Sequence, residues 1–365
     1  MAKGKLKGGG RRGAGGTKRP KNKKTRKPAP KPRRYLVTGA CGFTGSHMVD
    51  VLAEAGLDFR ATDLPTADRG NLPKGIEFIP SDLRDPVGLE RVVDGVNVIL
   101  HPAAIFKFSA PKELLEGVNV TGMKNLCRAA EAASVERLVS WSSCGIYGRI
   151  PPGTPPVGED HDRNPIEEYS RTKLQQDLVA HRFNRESRLK VSIIRPGVVY
   201  GPRSRYGAAQ IIEGLSKVPV VPIPFNFRYH LAPVHVRDVA RAALYISQRE
   251  ETVGEEYHAV DCSEATMAEF FTFVASTLSK PNFPVYVPPG LAGLGGRIVG
   301  GISEFIASRI LHTDPLIEKA PMDYFPADVN ISNRKLLDLG FRFEYPDFRK
   351  GIVETIDWFR EEGII

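Results

Sequence analysis

The stretch Val37-Thr38-Gly39-Ala40-Cys41-Gly42-Phe43-Thr44-Gly45 lies between an apolar run, Tyr35 to Val37, and a helix-like run, Ser46 to Ala55. That order is strand, glycine turn, helix. A helix N-terminus exposes unpaired N–H groups and the positive end of a dipole, so it receives a pyrophosphate well. Glycines there allow the tight bend, close approach of backbone to phosphate, and close packing of helix on strand. Alone, a glycine trio is an ordinary turn. Here the flanks supply the required context. Asp63 follows the next strand-like run (Phe59 to Thr62), eighteen residues past Gly45. That is near the spacing of an acid that hydrogen-bonds a ribose 2′-hydroxyl. The segment therefore predicts dinucleotide binding through Gly39, Gly42, Phe43, Thr44, Gly45 and Asp63.

Composition bounds the class. At 365 residues the chain can bury one large core or two smaller ones. Its 41% hydrophobic and 25% charged residues are ordinary for a soluble globular protein. Cys41, Cys127, Cys144 and Cys262 are scattered, with no C-x-x-C pair, which fits free thiols in a reducing compartment and no metal site. There is no apolar h-region of a signal peptide and no uncharged run long enough to span a bilayer, so the expected location is cytoplasmic.

The net charge of +9 is unevenly spread. Residues 1–34 hold fifteen Lys or Arg and no Asp or Glu, leaving 36 basic and 42 acidic residues, a net of −6, for the rest. Residues 1–33 are rich in Gly, Lys, Arg and Pro and cannot bury enough surface to offset the entropy of ordering, so they read as a disordered basic tail. Three readings of the tail stay open: a solvated arm, an arm that contacts polyanions such as nucleic acid or anionic lipid, or a start assigned too far upstream.

From Tyr35 the pattern alternates. Strand candidates are Tyr35–Thr38, Phe59–Thr62, Gly75–Ile79, Val96–His101, Arg137–Trp141 and Lys190–Arg195. Helix candidates are Thr44–Ala55, Pro86–Val93, Lys112–Ser134 and Ile166–Glu186. Short continuous apolar strands suit a parallel sheet covered on both faces, so the fold class is α/β, a Rossmann-type doubly wound parallel sheet. Residues 34–201 form the expected NAD-binding domain, with 234–260 returning to it through a helix at Val236–Gln248. Residues 202–233 and 261–365 mix loops, turns and helices; resemblance to the extended short-chain dehydrogenase/reductase superfamily, carried by the glycine turn, implies that they form a smaller, discontinuous substrate-binding domain. Within it, Gly290 to Leu311 reads as an apolar, Gly-rich helix that covers an apolar cleft or rests on a membrane.

Tyr169 and Lys173 are four apart in a helix-like segment and share a helix face. An ammonium near a phenol favours the phenolate, which suits a general acid/base. Trp141-Ser142-Ser143 ends the fifth strand candidate, and ligands of such sheets sit beyond the carboxyl ends of the strands. Ala103-Ala104 follows the fourth strand, where small side chains let a dinucleotide pass close to the backbone. A carboxylate at Asp63 repels a 2′-phosphate, so NAD is favoured over NADP, with Arg60 and Arg69 as the nearby counterweights.

The Thr38 and Gly39-x-x-Gly42-x-x-Gly45 pattern, with Tyr169-x-x-x-Lys173, resembles the extended short-chain dehydrogenase/reductase superfamily, from about Arg34 to the C-terminus. The resemblance implies a catalytic hydroxyl four residues before a Tyr-Gly pair, which maps onto Ser143 ahead of Tyr147-Gly148. It implies cofactor contacts at Asp82-Leu83, and it sets Pro196 beside Tyr169 and Lys173 among them. It implies a homodimer through Lys112–Ser134 and Ile166–Glu186. His101 and His235 read as packed, and Asn119 as structural.

Departures narrow the branch. Cys144 and Gly145 stand where dehydratases carry Asp-Glu. Val198 and Leu231 stand where sugar-nucleotide enzymes carry a diphosphate-binding Asn and Arg. The run Arg195-Pro196-Gly197-Val198-Val199-Tyr200-Gly201-Pro202 and the aromatic Ile105-Phe106-Lys107-Phe108 look more like 3β-hydroxysteroid-dehydrogenase-like and dihydroflavonol-reductase-like members. The expected activity is hydride transfer between NAD(H) and a secondary alcohol or ketone on an apolar, steroid- or isoprenoid-like small molecule. The alternatives are a nucleotide-sugar 4-epimerase, with Arg203, Arg205 or Arg228 on the diphosphate, and a non-enzymatic NAD-sensing or RNA-binding protein.

Overall fold

Alternation of side chains along each strand decides how the layers form. Tyr35 and Val37 face one apolar cluster, and Leu36 between them faces the other. Val98 and Leu100 likewise oppose Ile99. Both faces of the sheet must therefore be covered by helices. The computed structural model describes residues 33–288, 301 and 328–365. The basic tail up to Pro32, and all of Gly290–Leu311 but Gly301, lie outside the described residues.

The strands are β1 (Arg34–Thr38), β2 (Asp58–Thr62), β3 (Glu77–Phe78), β4 (Val98–His101), β5 (Arg137–Trp141), β6 (Lys190–Pro196), β7 (Val198–Tyr200), β8 (Val221–Pro224), β9 (Pro233–His235), β10 (Glu256–Ala259) and β11 (Asn282–Val285). Seven make one parallel sheet in the order β10-β6-β5-β4-β1-β2-β3. The chain order reverses between β1 and β4, and a crevice opens there at the carboxyl ends. Two further pairs, β7 with β9 and β8 with β11, lie outside that sheet.

The helices are α1 (Phe43–Glu54), α2 (Pro86–Val93), α3 (Lys112–Leu115), α4 (Gly122–Ala132), α5 (Glu168–Glu186), α6 (Ala208–Lys217), α7 (Val236–Ser247), α8 (Met267–Thr277), α9 (Arg334–Asp338) and α10 (Phe348–Glu361). Met48, Val49 and Leu52 of α1 join Val239, Ala243 and Ile246 of α7 on one face of the sheet. Leu89 of α2, Met123 and Leu126 of α4, and Val179 of α5 cover the other. Each of the fully buried Val, Leu, Ile and Met side chains among these contributes about 1.5–3 kcal/mol. A third cluster, with Ile212, Phe270, Phe348 and Ile352, joins α6, α8 and α10.

Three differences from the sequence reading have physical causes. The helix expected at Lys112–Ser134 is interrupted by a π-turn, Glu116–Thr121. The buried Asn119 amide accepts from Ile105 N–H (2.8 Å) and donates to Ile105 O (3.2 Å) and Thr172 Oγ1 (3.1 Å). That pull toward the neighbouring loop and α5 accompanies the extra residue in the turn. The helix expected from Ile166 begins at Glu168, because the Glu167 carboxylate accepts from Ser170 N–H and caps it. The seventh strand, β10, was absent from the strand candidates: Glu-Tyr-His-Ala looks polar, yet all four residues are buried.

Candidate active site

At the reversal point the described residues form a cleft of about 2080 Å³. Every catalytic and cofactor candidate lines it: Gly39, Gly42, Phe43, Thr44, Gly45, Asp63, Asp82, Leu83, Ala103, Ala104, Ser143, Tyr169, Lys173 and Pro196.

The cofactor side begins at the glycine turn. Gly39 has φ +60, and a Cβ there would lie 2.8 Å from Ala103 Cα, so the two loops after β1 and β4 touch through backbone. A Cβ on Gly45 would lie 1.9 Å from Gly39 O. Only glycine permits this approach of α1 to its own turn. Gly45→Ala is expected to cost about 1–3 kcal/mol of stability through overpacking and to weaken NADH binding. Thermal melts with and without NADH check both.

Asp63 stands at the end of β2. Its carboxylate accepts from Cys41 N–H (2.9 Å) and Leu64 N–H (2.8 Å), which fixes it above the turn. Burial, then the Asp63 charge, pushes the Cys41 thiol up to about 11, so it stays protonated. Asp82 is held by Arg84, whose Nε lies 3.0 Å from Oδ1, and this hydrogen bond keeps the carboxyl below its ordinary value. Leu83 O accepts from Asn125 Nδ2 (3.1 Å).

The catalytic candidates come from the end of β5 and the first turns of α5. Ser142 points inward and donates to Asp177 (2.8 Å). Ser143 faces the cleft and accepts from Gly145 N–H (3.0 Å). The two serines thus differ in surroundings. Tyr169 is 7% exposed and packs edge-on against Phe106 and Phe108, with centroids 4.9 and 5.7 Å away. Phe106 also meets Tyr206 at 5.3 Å.

Lys173 is buried, and its ammonium donates to Trp141 O and to Gln176 Oε1 (2.7 Å). Burial lowers its pKa to about 8, with Asp177 opposing, so it remains a cation at neutral pH. Gln176 Nε2 in turn donates to Ser140 Oγ (2.7 Å) and Trp141 O (3.2 Å). The sequence reading missed Gln176. Its place one turn beyond Lys173 was an available signal.

Behind the site lies a buried ionic cluster, also unread from sequence. Arg195 contacts Asp177 (3.0 Å) and Glu256 (2.6 Å), and its Nη1 donates to Tyr147 Oη (3.1 Å). Burial would discharge this guanidinium, but the two carboxylates outweigh it and hold it charged. His101 and His235 are packed: burial pushes both down to about 3, His101 bonded to Thr38 Oγ1 (2.8 Å) and His235 stacked on Tyr345 (3.8 Å). Among the described residues no His, Cys, Asp or Glu group could hold a metal.

The fold and this cleft define a dinucleotide-dependent enzyme, and comparison with known proteins supplies the family. The model of the NAD dependent epimerase/dehydratase family matches residues 35–259, and the chain belongs to that family, an extended short-chain dehydrogenase/reductase using an NAD-type cofactor. It is 28% identical over 365 residues to a decarboxylating sterol-4-alpha-carboxylate 3-dehydrogenase of Candida albicans, covering 90% of this chain and 97% of the relative. It is 32% identical over 220 residues to a putative UDP-glucose 4-epimerase of Methanocaldococcus jannaschii, covering 57% and 72%. The solved UDP-glucose 4-epimerase of Thermus thermophilus in complex with NAD superposes with a TM-score of 0.68 at 27% identity, covering 90% and 99%.

Proposed function

We propose that this protein interconverts a secondary alcohol and a ketone on an apolar, steroid- or isoprenoid-like substrate, using NAD in preference to NADP. The observation that carries the reading is the aromatic wall of Phe106, Phe108 and Tyr206 around Tyr169. Val198 and Leu231, at the positions where a diphosphate would need partners, line the same cleft. Arg203 is engaged by Asp50 (2.7 Å), and Arg228 is exposed and outside the lining. Arg205, in the cleft wall, would be the remaining partner of a diphosphate buried here, and one cation leaves most of that charge unpaired. The likeness to sterol-4-alpha-carboxylate 3-dehydrogenases agrees with such a substrate. Residues 202–233 and 261–365 would supply the substrate-binding domain.

The glycine turn, Asp63, Asp82, Leu83, Ala103, Ala104 and Pro196 would hold the cofactor, whose nicotinamide accepts or returns the hydride when bound. Tyr169 takes or gives the proton of the substrate hydroxyl. Ser143 holds the same oxygen. Lys173 binds the nicotinamide ribose, and its charge favours the Tyr169 phenolate. Positioning and acid/base help share the gain, the latter worth about 10²–10⁴-fold.

Cofactor choice rests on Asp63 and on what the nearby arginines do. Arg60 is buried and turned to Glu77 (2.8 Å), Val92 O (2.7 Å) and Asp94 O (2.8 Å). Arg69 lies 3.8 Å over the Phe78 ring. Asp63→Ser is expected to reduce the preference for NAD over NADP by about tenfold or more, as a charge-assisted hydrogen bond and a repulsion are both lost. The ratio of kcat/KM values for the two cofactors checks it.

A second reading, nucleotide-sugar 4-epimerisation, is favoured by the epimerase relatives and by Arg205 in the cleft wall. Calorimetric titration of the NAD-loaded protein separates the two. A hydroxysteroid that binds with a negative heat-capacity change supports the apolar reading. Tight binding of UDP-glucose, with none of the steroid, would overturn it.

A further inference from the structure

Gln176 stands behind the cleft, and the chemistry above gives it no part. Its side chain is fully buried on α5 and lies outside the cleft lining. The amide has one orientation that suits its neighbours. Trp141 O, 3.2 Å away, can only accept, so the atom that faces it is Nε2. Nε2 also donates to Ser140 Oγ (2.7 Å). Oε1 is thereby turned to the Lys173 ammonium (2.7 Å). Both anchors of the amide belong to β5, a strand buried along its whole length. Gln176 thus ties the position of Lys173 to the central sheet.

An ammonium has three N–H donors. Trp141 O and Gln176 Oε1 take two, and both are neutral acceptors. Lys173 lines the cleft, so the third is left for what binds there. The charged and titratable groups around it come from three elements. Asp177, one turn along α5, favours the ammonium without bonding to it, and is itself engaged by Arg195 of β6 and by Ser142. His101 of β4 is kept neutral by burial. Tyr169, one turn back on α5, is the phenol beside which the charge is needed. Burial has already lowered the Lys173 pKa to about 8. Loss of either neutral acceptor would leave a buried N–H unpaired and ease the proton off.

We propose that Gln176 is a positioning residue, which aims the Lys173 ammonium into the cleft and holds its proton, and so sets the pH range over which the cofactor binds tightly. The inference rests on the reading of Lys173 as the partner of the nicotinamide ribose. It does not depend on the substrate.

The test is fluorescence titration of NADH into the full chain, from neutral pH into the alkaline range. A charged donor binds a hydroxyl more strongly than a neutral amine. Affinity should therefore be full while Lys173 is protonated and fall as pH rises through its pKa, with Kd rising about fivefold or more. In Gln176→Met, similar in size but without an acceptor, the fall should begin about one pH unit lower. Gln176→Asn, too short to reach the ammonium, should shift it in the same direction. In Gln176→Glu it should come no lower than in wild type, because a carboxylate holds the ammonium and a carboxylic acid reproduces the amide. A merely structural role would not separate Glu from Met in this way. A fall that Met and Asn share with wild type, or one that Met and Glu lower alike, would overturn the inference and leave the Lys173 reading standing. Wild type without the alkaline fall, or Lys173→Met that keeps it, would remove the Lys173 reading and the inference with it.

Discussion

Tyr169→Phe is expected to lower kcat/KM for alcohol oxidation by about 10²–10⁴-fold, the usual worth of a positioned acid/base. The change removes one oxygen and keeps the ring. The edge-on contacts with Phe106 and Phe108 therefore survive, and so does the packing of α5. NADH binding should change little, because the glycine turn and Asp63 lie on other elements. The Lys173 ammonium keeps its two acceptors, Trp141 O and Gln176. A fall in kcat with an unchanged NADH Kd would thus isolate the proton-transfer role. Steady-state kinetics beside a fluorescence titration of NADH give both numbers.

Arg195→Met should produce the largest loss of stability from a single substitution. Arg195 and Asp177 are fully buried, and Glu256 nearly so. Removing the cation leaves Asp177 with Ser142 as its hydrogen-bond donor on Oδ2, while Oδ1 already has no hydrogen bond. Breaking a buried pair in this way costs about 3–5 kcal/mol. For a folded body of this size that is a drop in Tm of roughly 4–8 °C. Glu256 is cushioned by Arg163 (2.8 Å) and His181, so most of the loss belongs to Asp177. Adding Asp177→Leu should therefore restore part of the loss, since an apolar replacement of both partners leaves no charge unpaired. Denaturant unfolding of the single and double variants checks the sign of that recovery.

Local pattern explains what could be read in advance. The glycine turn, Asp63 and the strands that follow are set by residues within one strand–helix unit, so spacing alone locates them. Tyr169 and Lys173 are legible for the same reason, being one helical turn apart. What escaped the reading depends on partners distant in the chain. β10 looks like a polar loop until Arg195, Arg163 and His181 are seen to neutralise Glu256. The π-turn in the long helix depends on Asn119 reaching Ile105 and Thr172. Arg203 reads as a free cation in the sequence but is engaged by Asp50 of α1, 153 positions away.

NADH formation by the purified full chain, offered hydroxysteroids, other apolar secondary alcohols and UDP-sugars with NAD, tests the central claim most directly. The account predicts reduced cofactor, and the matching ketone, from an apolar alcohol, and loss of both in Tyr169→Phe. Interconversion of a UDP-sugar without net change in the cofactor, and no NADH from any apolar alcohol, would contradict it and make the protein an epimerase.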